Sequence, residues 1–349
     1  MISTCKRVKR YTHFIGIDVS KNEVDFAIMN EKNLLFHEEV KNDITEIIPF
    51  IVRLKSMPKF SIAKSLFCME STGIYCNHLL YCFKLFKANI VVENPIHIKK
   101  SLGLVRDKND KADAIRIAQY ALKNKDALRL WVPKRQVIFD LANLAAIRSR
   151  LLSTQIALKT PIKELNMFVN EEVIQRSEAM CHNSLLALKN DLKNVDDNIQ
   201  LLILADPRLK RLHEIITSVP NIGEKTALQL IISTNEFKDI KDPKKFACYA
   251  GVAPFIQESG IFKGKAKISH IANKKIKTLL HICAVSSLRK GELKDYYTRK
   301  VAEGKSKMGV INAIRNKLIL RIFACVNQDR LYQDQYNREM QSLQSITMA

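Results

Sequence analysis

No apolar run in this sequence is long enough to cross a bilayer. The longest, IIPFIVRL near residue 50 and QLLILA near 203, fall far short of the ~20 residues a span requires. The opening MISTCKRVKR has the basic start of an export signal, but the FIGIDV behind it is short and carries a charge, so no export signal is expected. The eight cysteines include no CxxC pair. They read as buried, reduced thiols of a cytoplasmic protein, with zinc at Cys68, Cys76, His78 and Cys82 the lesser reading. No Asp-x-Gly tripeptide occurs, which argues against a sugar kinase or actin-like ATPase, although GIDVS alone would suit the phosphate loop of one. Acidic side chains are the minority charge: 35 Asp+Glu stand against 57 Lys+Arg, a net of +22. That excess favours a phosphate backbone or an anionic membrane as partner, and without a span nucleic acid is the stronger choice.

What is present is an α/β pattern followed by helices. Residues 13–19, 23–29 and 33–40 read as three short strands joined by polar turns. A helix near 43–56, a strand at 65–69, a helix near 76–87, a strand at 89–93 and helices near 95–102 and 110–124 follow. Three antiparallel strands followed by βα repeats is the order of an RNase H-like (RuvC-like) domain, over residues 1–128, though composition alone admits other α/β folds. In the next segment, 129–205, Leu144, Leu151, Leu158 and Leu165 recur every seven residues, with Leu141, Arg148, Gln155 and Ile162 in the alternate positions. Leu185, Leu188, Leu192, Val195, Ile199 and Leu202 form a second seam. The spacing is that of a coiled coil, with a kink expected at Pro161. It closes either within one chain as an antiparallel hairpin or between chains as a dimerisation arm.

The third segment, 206–349, reads as a mostly α domain. SVPNIGEKTALQLI (218–231) has the helix, Gly223 turn and helix of a helix-hairpin-helix-like element, with Lys225 just inside. Backbone N–H groups there suit a phosphate, and a purely structural turn suits the sequence equally. From Ser259 to Arg321, 16 Lys/Arg face three acids (Glu292, Asp295 and Glu303), a one-sided surface that favours nucleic acid. Lys263, Lys265, Lys267, Lys274, Lys275 and Lys277 are its leading candidates.

Four acids carry the chemistry. Asp18 interrupts an apolar strand, where a charge is costly unless paired or metal-bound. Glu70 ends another strand. Asp110 and Asp113 stand at i and i+3 on one face of a helix, with Asp107 a stand-in one turn earlier. Carboxylates gathered by a fold repel one another until a cation neutralises them; an all-oxygen set suits Mg²⁺, with Mn²⁺ the other choice. Two such ions ~3.5–4 Å apart serve phosphoryl transfer. Ser259, in QESG, lies between the apolar AGVAPFI and a lysine cluster. On the residues alone it reads first as a turn serine; no Gly-x-Ser-x-Gly elbow surrounds it, and a nucleophilic serine needs activation.

GIDVSK with Asp18, ESTGIY with Glu70, VENP at 92–95 and KNDKADA with Asp110 and Asp113 resemble the DEDD, RuvC-like domain of an insertion-sequence transposase family, the IS one-ten family or bridge recombinases. SVPNIGEKTA, FACYAGVAPFIQESG and ISHIANKKIKTLLHICA resemble that family's C-terminal transposase domain. The resemblance implies that the four acids bind Mg²⁺ and that Ser259 is a nucleophile forming a phosphoserine link to double-stranded DNA. It further implies that the domains complete a composite site in a homo-oligomer, a dimer or tetramer, and that a structured guide RNA selects the DNA by base pairing. Two positions depart from the family pattern: Asn109, where Thr is common, and Ala272, where Gly is usual. The alternative is a metal-dependent junction resolvase that uses activated water and leaves Ser259 as a turn residue.

Overall fold

The computed structural model describes residues 10–101, 109–165, 168–256, 258–259, 262–264, 267–269 and 271–333. Asp107, Gly260 and Lys265 lie outside them. The chain divides into two units, Met1–Pro133 and Lys134–Ala349.

The first unit is built on a five-stranded sheet. β1 (His13–Val19), β2 (Glu23–Met29) and β3 (Leu34–Lys41) run antiparallel. Their connections are closed locally: Ser20 N–H donates to the Glu23 carbonyl at 3.0 Å, and Asn30 Oδ1 accepts from Lys32 and Asn33 N–H. α1 (Ile44–Ser56) starts on Asp43, whose carboxylate accepts the Thr45 N–H. β4 (Ser65–Glu70) runs parallel to β1, α2 (Asn77–Leu85) returns, and β5 (Asn89–Glu93) runs parallel to β4. α3 (Pro95–Ser101) and α4 (Asp110–Lys123) complete the unit. The strand order is β3-β2-β1-β4-β5, and the elements follow the expected sequence of three antiparallel strands and then βα repeats.

β1 is central and covered on both faces, which is why its sequence is almost continuously apolar. Ile15, Ile17 and Val19 join Phe26, Phe50, Ile51, Phe67 and Phe83 in the core on the α1–α2 side. On the other face, Ala27 and Met29 meet Ala114 and Ala118 of α4, and Phe14, Leu66 and Cys68 meet Ile117, Tyr120 and Ala121. Gly16 lets α4 lie directly on the strand. A Cβ there would stand 2.0 Å from the Ala114 carbonyl oxygen and 2.2 Å from the Ala118 nitrogen.

The second unit is mainly helical. α5 (Gln136–Leu165) and α6 (Glu171–Ala205) pack on one another within the chain, and α5 runs through Pro161 without ending. Of the expected seam, Leu141, Ile162 and Ile199 are buried, and the other positions, from Leu144 to Leu202, are the half-buried ones. α7 (Pro207–Ser218), capped by Asp206, and α8 (Glu224–Thr234) flank the Gly223 turn. α9 (Pro243–Tyr249) leads into two short antiparallel pairs: β6 (Pro254–Phe255) with β9 (Lys267–Ile268), and inside it β7 (Glu258–Ser259) with β8 (Phe262–Lys263). α10 (Lys274–Ser286), α11 (Glu292–Ala302) and α12 (Lys307–Asn327) close the unit. One core joins the base of α5 and α6 to α7, α8, α9, α10 and α12, with Phe246 and Phe323 stacked 5.2 Å apart.

At the start of this unit Arg135 holds the Asp206 cap at 2.5 Å and Glu236 at 2.6 Å. Glu236 is buried and also meets Arg208 and Lys238. Burial pushes its carboxyl up, but the bonds from Arg135 and Lys238 outweigh that and hold it below the usual range. Among the described residues no helix is long and apolar enough to cross a membrane. The described cysteines are free thiols: five buried, Cys181 half-buried and Cys248 exposed.

Candidate active site

The four expected acids lie near enough for the charges of Asp113, Asp110 and Glu70 to act on Asp18. β1 and β4 are parallel in register Ile17↔Met69, so Asp18 and Glu70 end adjacent strands on the same face. α4 lies across that face on Gly16 and brings in Asp110 and Asp113 from its first turn. Asn109 starts this helix, its Oδ1 accepting the Ala112 N–H at 2.7 Å, so the asparagine supplies the cap that a threonine would. Burial pushes the Asp18 carboxyl up to about 6, helped by the charges of Asp113, Asp110 and Glu70 and opposed by a backbone bond from Val19. Glu70 is raised as well, by burial and then by Asp113. Carboxylates this close raise one another's pKa, and a cation among them would favour their charged forms.

The donors fit a hard divalent ion in type and charge. As they stand, no three His, Cys, Asp or Glu side chains among the described residues are grouped to hold one. Arg116, one turn along α4, forms an ion pair with Asp113.

Two neighbours escaped the sequence reading. Asp25 lies directly across from Asp18 in the β1–β2 register, is buried, and meets His37 Nε2 at 2.6 Å. Glu93 lies across from Glu70 in the β4–β5 register. It accepts the Tyr120 hydroxyl at 3.1 Å and contacts His97 Nδ1 at 2.8 Å. Burial, with Glu93 beside it, pushes the Tyr120 hydroxyl up to about 12. Glu93 ends its strand just as Glu70 does, so the same signal was available at VENP.

Ser259 is exposed and pairs with Phe262 at the outer end of the nested hairpin. Lys267 in β9 is exposed, as are Lys274 and Lys275 at the start of α10, and Lys277 is half-buried. Lys263 falls in β8. At the Gly223 turn, Lys225 is committed within the chain: it forms an ion pair with Asp196, which Arg148 also holds at 2.8 Å. Ala272 packs closely on Gly251, whose φ of +63° demands glycine; a Cβ there would lie 2.4 Å from the alanine methyl.

Two family models match the chain in the same order as these sites. A DEDD transposase model of the IS110 type covers residues 15–165, with all four acids inside it. A model described as the transposase IS116/IS110/IS902 family covers residues 213–298, including Ser259. The protein is thus a DNA transposase, an enzyme of DNA recombination. It belongs to the IS110/IS116/IS902 family of insertion-sequence transposases, whose two domains it carries. The pilin gene-inverting protein of Moraxella bovis is 26% identical over 326 residues, which span 91% of this chain and 96% of that protein. Its counterpart in Moraxella lacunata is 26% identical over 323 residues, with the same coverage. An uncharacterized insertion element IS116 protein of Streptomyces clavuligerus is 26% identical over 151 residues, 43% of this chain and 37% of that protein. Among solved structures, T. thermophilus RuvC in complex with a Holliday junction substrate matches 35% of this chain and all of that chain. Its 12% identity and TM-score of 0.28 make that likeness too slight to build on.

Proposed function

We propose that this transposase cuts and rejoins double-stranded DNA with Asp18, Glu70, Asp110 and Asp113 as a Mg²⁺-binding set and Ser259 as the nucleophile. The observation that carries the reading is that acids from two strands and one helix lie within electrostatic reach of one another, the Asp18 carboxyl being raised to about 6 by burial and by the other three. Such a cluster is costly in a resting fold and useful beside a divalent ion. Mn²⁺ suits the same oxygens.

The bound metal would supply Lewis-acid stabilisation of charge on the phosphoryl oxygens. Ser259 Oγ attacks phosphorus; a new O–P bond forms as one bridging O–P bond breaks. The serine proton ends on the departing oxygen as a free hydroxyl, so no oxidant, reductant or nucleotide is consumed. Rejoining reverses the step, with a DNA hydroxyl displacing the serine. The exposed position of Ser259 at a hairpin end suits attack on a large substrate.

Lys263, Lys265, Lys267, Lys274, Lys275 and Lys277 would hold the DNA or RNA backbone through phosphate contacts. The Gly223 turn would contact phosphate only if its backbone gave up bonds within the chain, and Lys225 would first have to leave Asp196. A structured guide RNA and a homo-oligomer, a dimer or tetramer, complete the reading. The relatives named for inverting a pilin gene support recombination over simple nuclease action.

The test is cleavage of DNA carrying the element's ends by protein purified with its flanking RNA, titrated with Mg²⁺ and Mn²⁺, alongside metal binding by calorimetry. The reading expects Asp18→Asn and Asp113→Asn to lose both cleavage and metal binding while keeping the wild-type circular dichroism spectrum. Metal-independent cleavage, or full activity in Asp18→Asn, would overturn it.

A further inference from the structure

The hairpin that carries Ser259 is anchored at its root by a polar chain running back to α12. Val252 is fully buried two residues before β6, and its carbonyl accepts a hydrogen bond from Asn312 Nδ2 at 2.8 Å. Asn312 Oδ1 faces Arg315 Nη1 at 3.4 Å, three residues along the same helix. Arg315 Nη2 in turn lies 2.6 Å from His281 Nδ1 on α10.

Arg315 is only 6% exposed and forms no ion pair among the described residues, and its buried Nε has no hydrogen-bond partner. A guanidinium taken out of water without a counter-charge is costly, and an apolar side chain of similar size would pack there more cheaply. What the arginine supplies is direction. It can only donate, so Asn312 must turn its oxygen toward Arg315 and its amide hydrogens toward Val252. By the same logic His281 accepts at Nδ1 and carries its proton on Nε2.

Val252 also packs in the core shared with α10 and α12, while the other hydrogen bonds at the root are closer in sequence. Asn273 N–H donates to the Tyr249 carbonyl at 2.9 Å, Asn273 Nδ2 lies 2.7 Å from Tyr249 Oη, and Gly251 packs on Ala272. Of these hydrogen bonds, only that from Asn312 ties the root to an element far away in sequence. Ser259 stands seven residues beyond Val252, a reach of up to roughly 20 Å. A tilt of ~10° at the root would therefore move the tip by up to about 4 Å, where a misplacement of ~1 Å can cost ~10²-fold in rate.

We infer that Asn312, oriented by the buried Arg315, is a positioning residue that aims the Ser259 hairpin by pinning the Val252 carbonyl. The inference rests on the reading of Ser259 as nucleophile. Asn312→Asp is the discriminating variant: it keeps an acceptor for Arg315 and adds the missing counter-charge, but has no hydrogen to give Val252. We expect its thermal midpoint to equal or exceed that of the wild type, with DNA affinity and salt dependence unchanged. The rate of protein–DNA adduct formation should fall ~10²-fold, and amide exchange should rise across residues 252–259. Arg315→Met, which removes the buried charge, should also fold and slow the adduct. Wild-type adduct rate and wild-type exchange in Asn312→Asp would overturn the inference. Parallel loss of thermal midpoint and rate in both variants would overturn it too, because it would make the network merely structural. If the wild type forms no adduct, the nucleophile reading fails, and the exchange measurement alone decides whether Asn312 pins the hairpin.

Discussion

Asp18 places a carboxyl where the fold makes its charge expensive, and the sign of that effect is testable. Well below pH 3.8 the group is protonated in both folded and unfolded chains and costs nothing. Between 3.8 and about 6 the folded protein keeps a proton that the unfolded chain releases, so stability falls as pH rises. Well above 6 the penalty is complete; solvent screening of this half-buried group keeps it below the ~3 kcal/mol that the full shift would give. Asp18→Asn should therefore raise the thermal midpoint at pH 8 in metal-free buffer and leave it unchanged near pH 4. Scanning calorimetry at the two values checks this; a variant less stable than wild type at pH 8 would contradict it. Asp18, Glu70, Asp110 and Asp113 were legible in the sequence because each is a charge in an awkward place, at the end of an apolar strand or paired on one helix face. Asp25 was not, since its place beside Asp18 depends on strand register and its partner His37 lies on a different strand; Glu93 offered the same strand-end signal as Glu70 and was passed over. The Arg116 pair was hidden for another reason: Arg at i+3 from Asp reads as ordinary surface charge.

At the level of elements, the bounds of β1, β2 and β5 were readable to the residue because polar turns or helix starts flank short apolar runs. The hairpin between Pro254 and Ile268 was not. Its strands are two residues long, too short to show alternation, and Ser259 read as a turn residue for that reason. The closeness of α4 to β1 was also invisible, because the small side chains of Gly16, Ala114 and Ala118 signal contact only once they face one another. Gly16→Ala should push α4 off the strand, destabilise the first unit by about 3 kcal/mol and displace Asp110 and Asp113 from Asp18. Chemical denaturation read alongside metal binding checks both effects; unchanged metal affinity would show that the acids do not depend on this packing. α5 and α6 shield the same positions that the heptad spacing marked. Substituting Leu151 and Leu158 by Lys should therefore loosen the arm and lower its helicity without changing the mass in light scattering. A shift toward monomer would show that the seam also pairs chains.

On the scale of the whole molecule, the excess of +22 is the largest feature the sequence shows, and it belongs mainly to the C-terminal surface. DNA affinity should fall steeply with salt, and Lys274→Gln with Lys277→Gln should reduce the slope of log affinity against log salt by about one for each phosphate that is no longer neutralised. A slope unchanged in the double variant would move the DNA to another face. Lys225→Gln, by contrast, should act on stability more than on affinity, because its ammonium is engaged with Asp196. The central claim joins metal-binding acids to a serine that bonds covalently to DNA, and a trapping assay tests it most directly. Protein purified with its flanking RNA is mixed with Mg²⁺ and DNA carrying the element's junction, then run on a denaturing gel beside Ser259→Ala. The account expects a protein–DNA adduct that disappears in the variant. Cleavage without an adduct, at the same rate in Ser259→Ala, would contradict it and leave a resolvase that attacks with water.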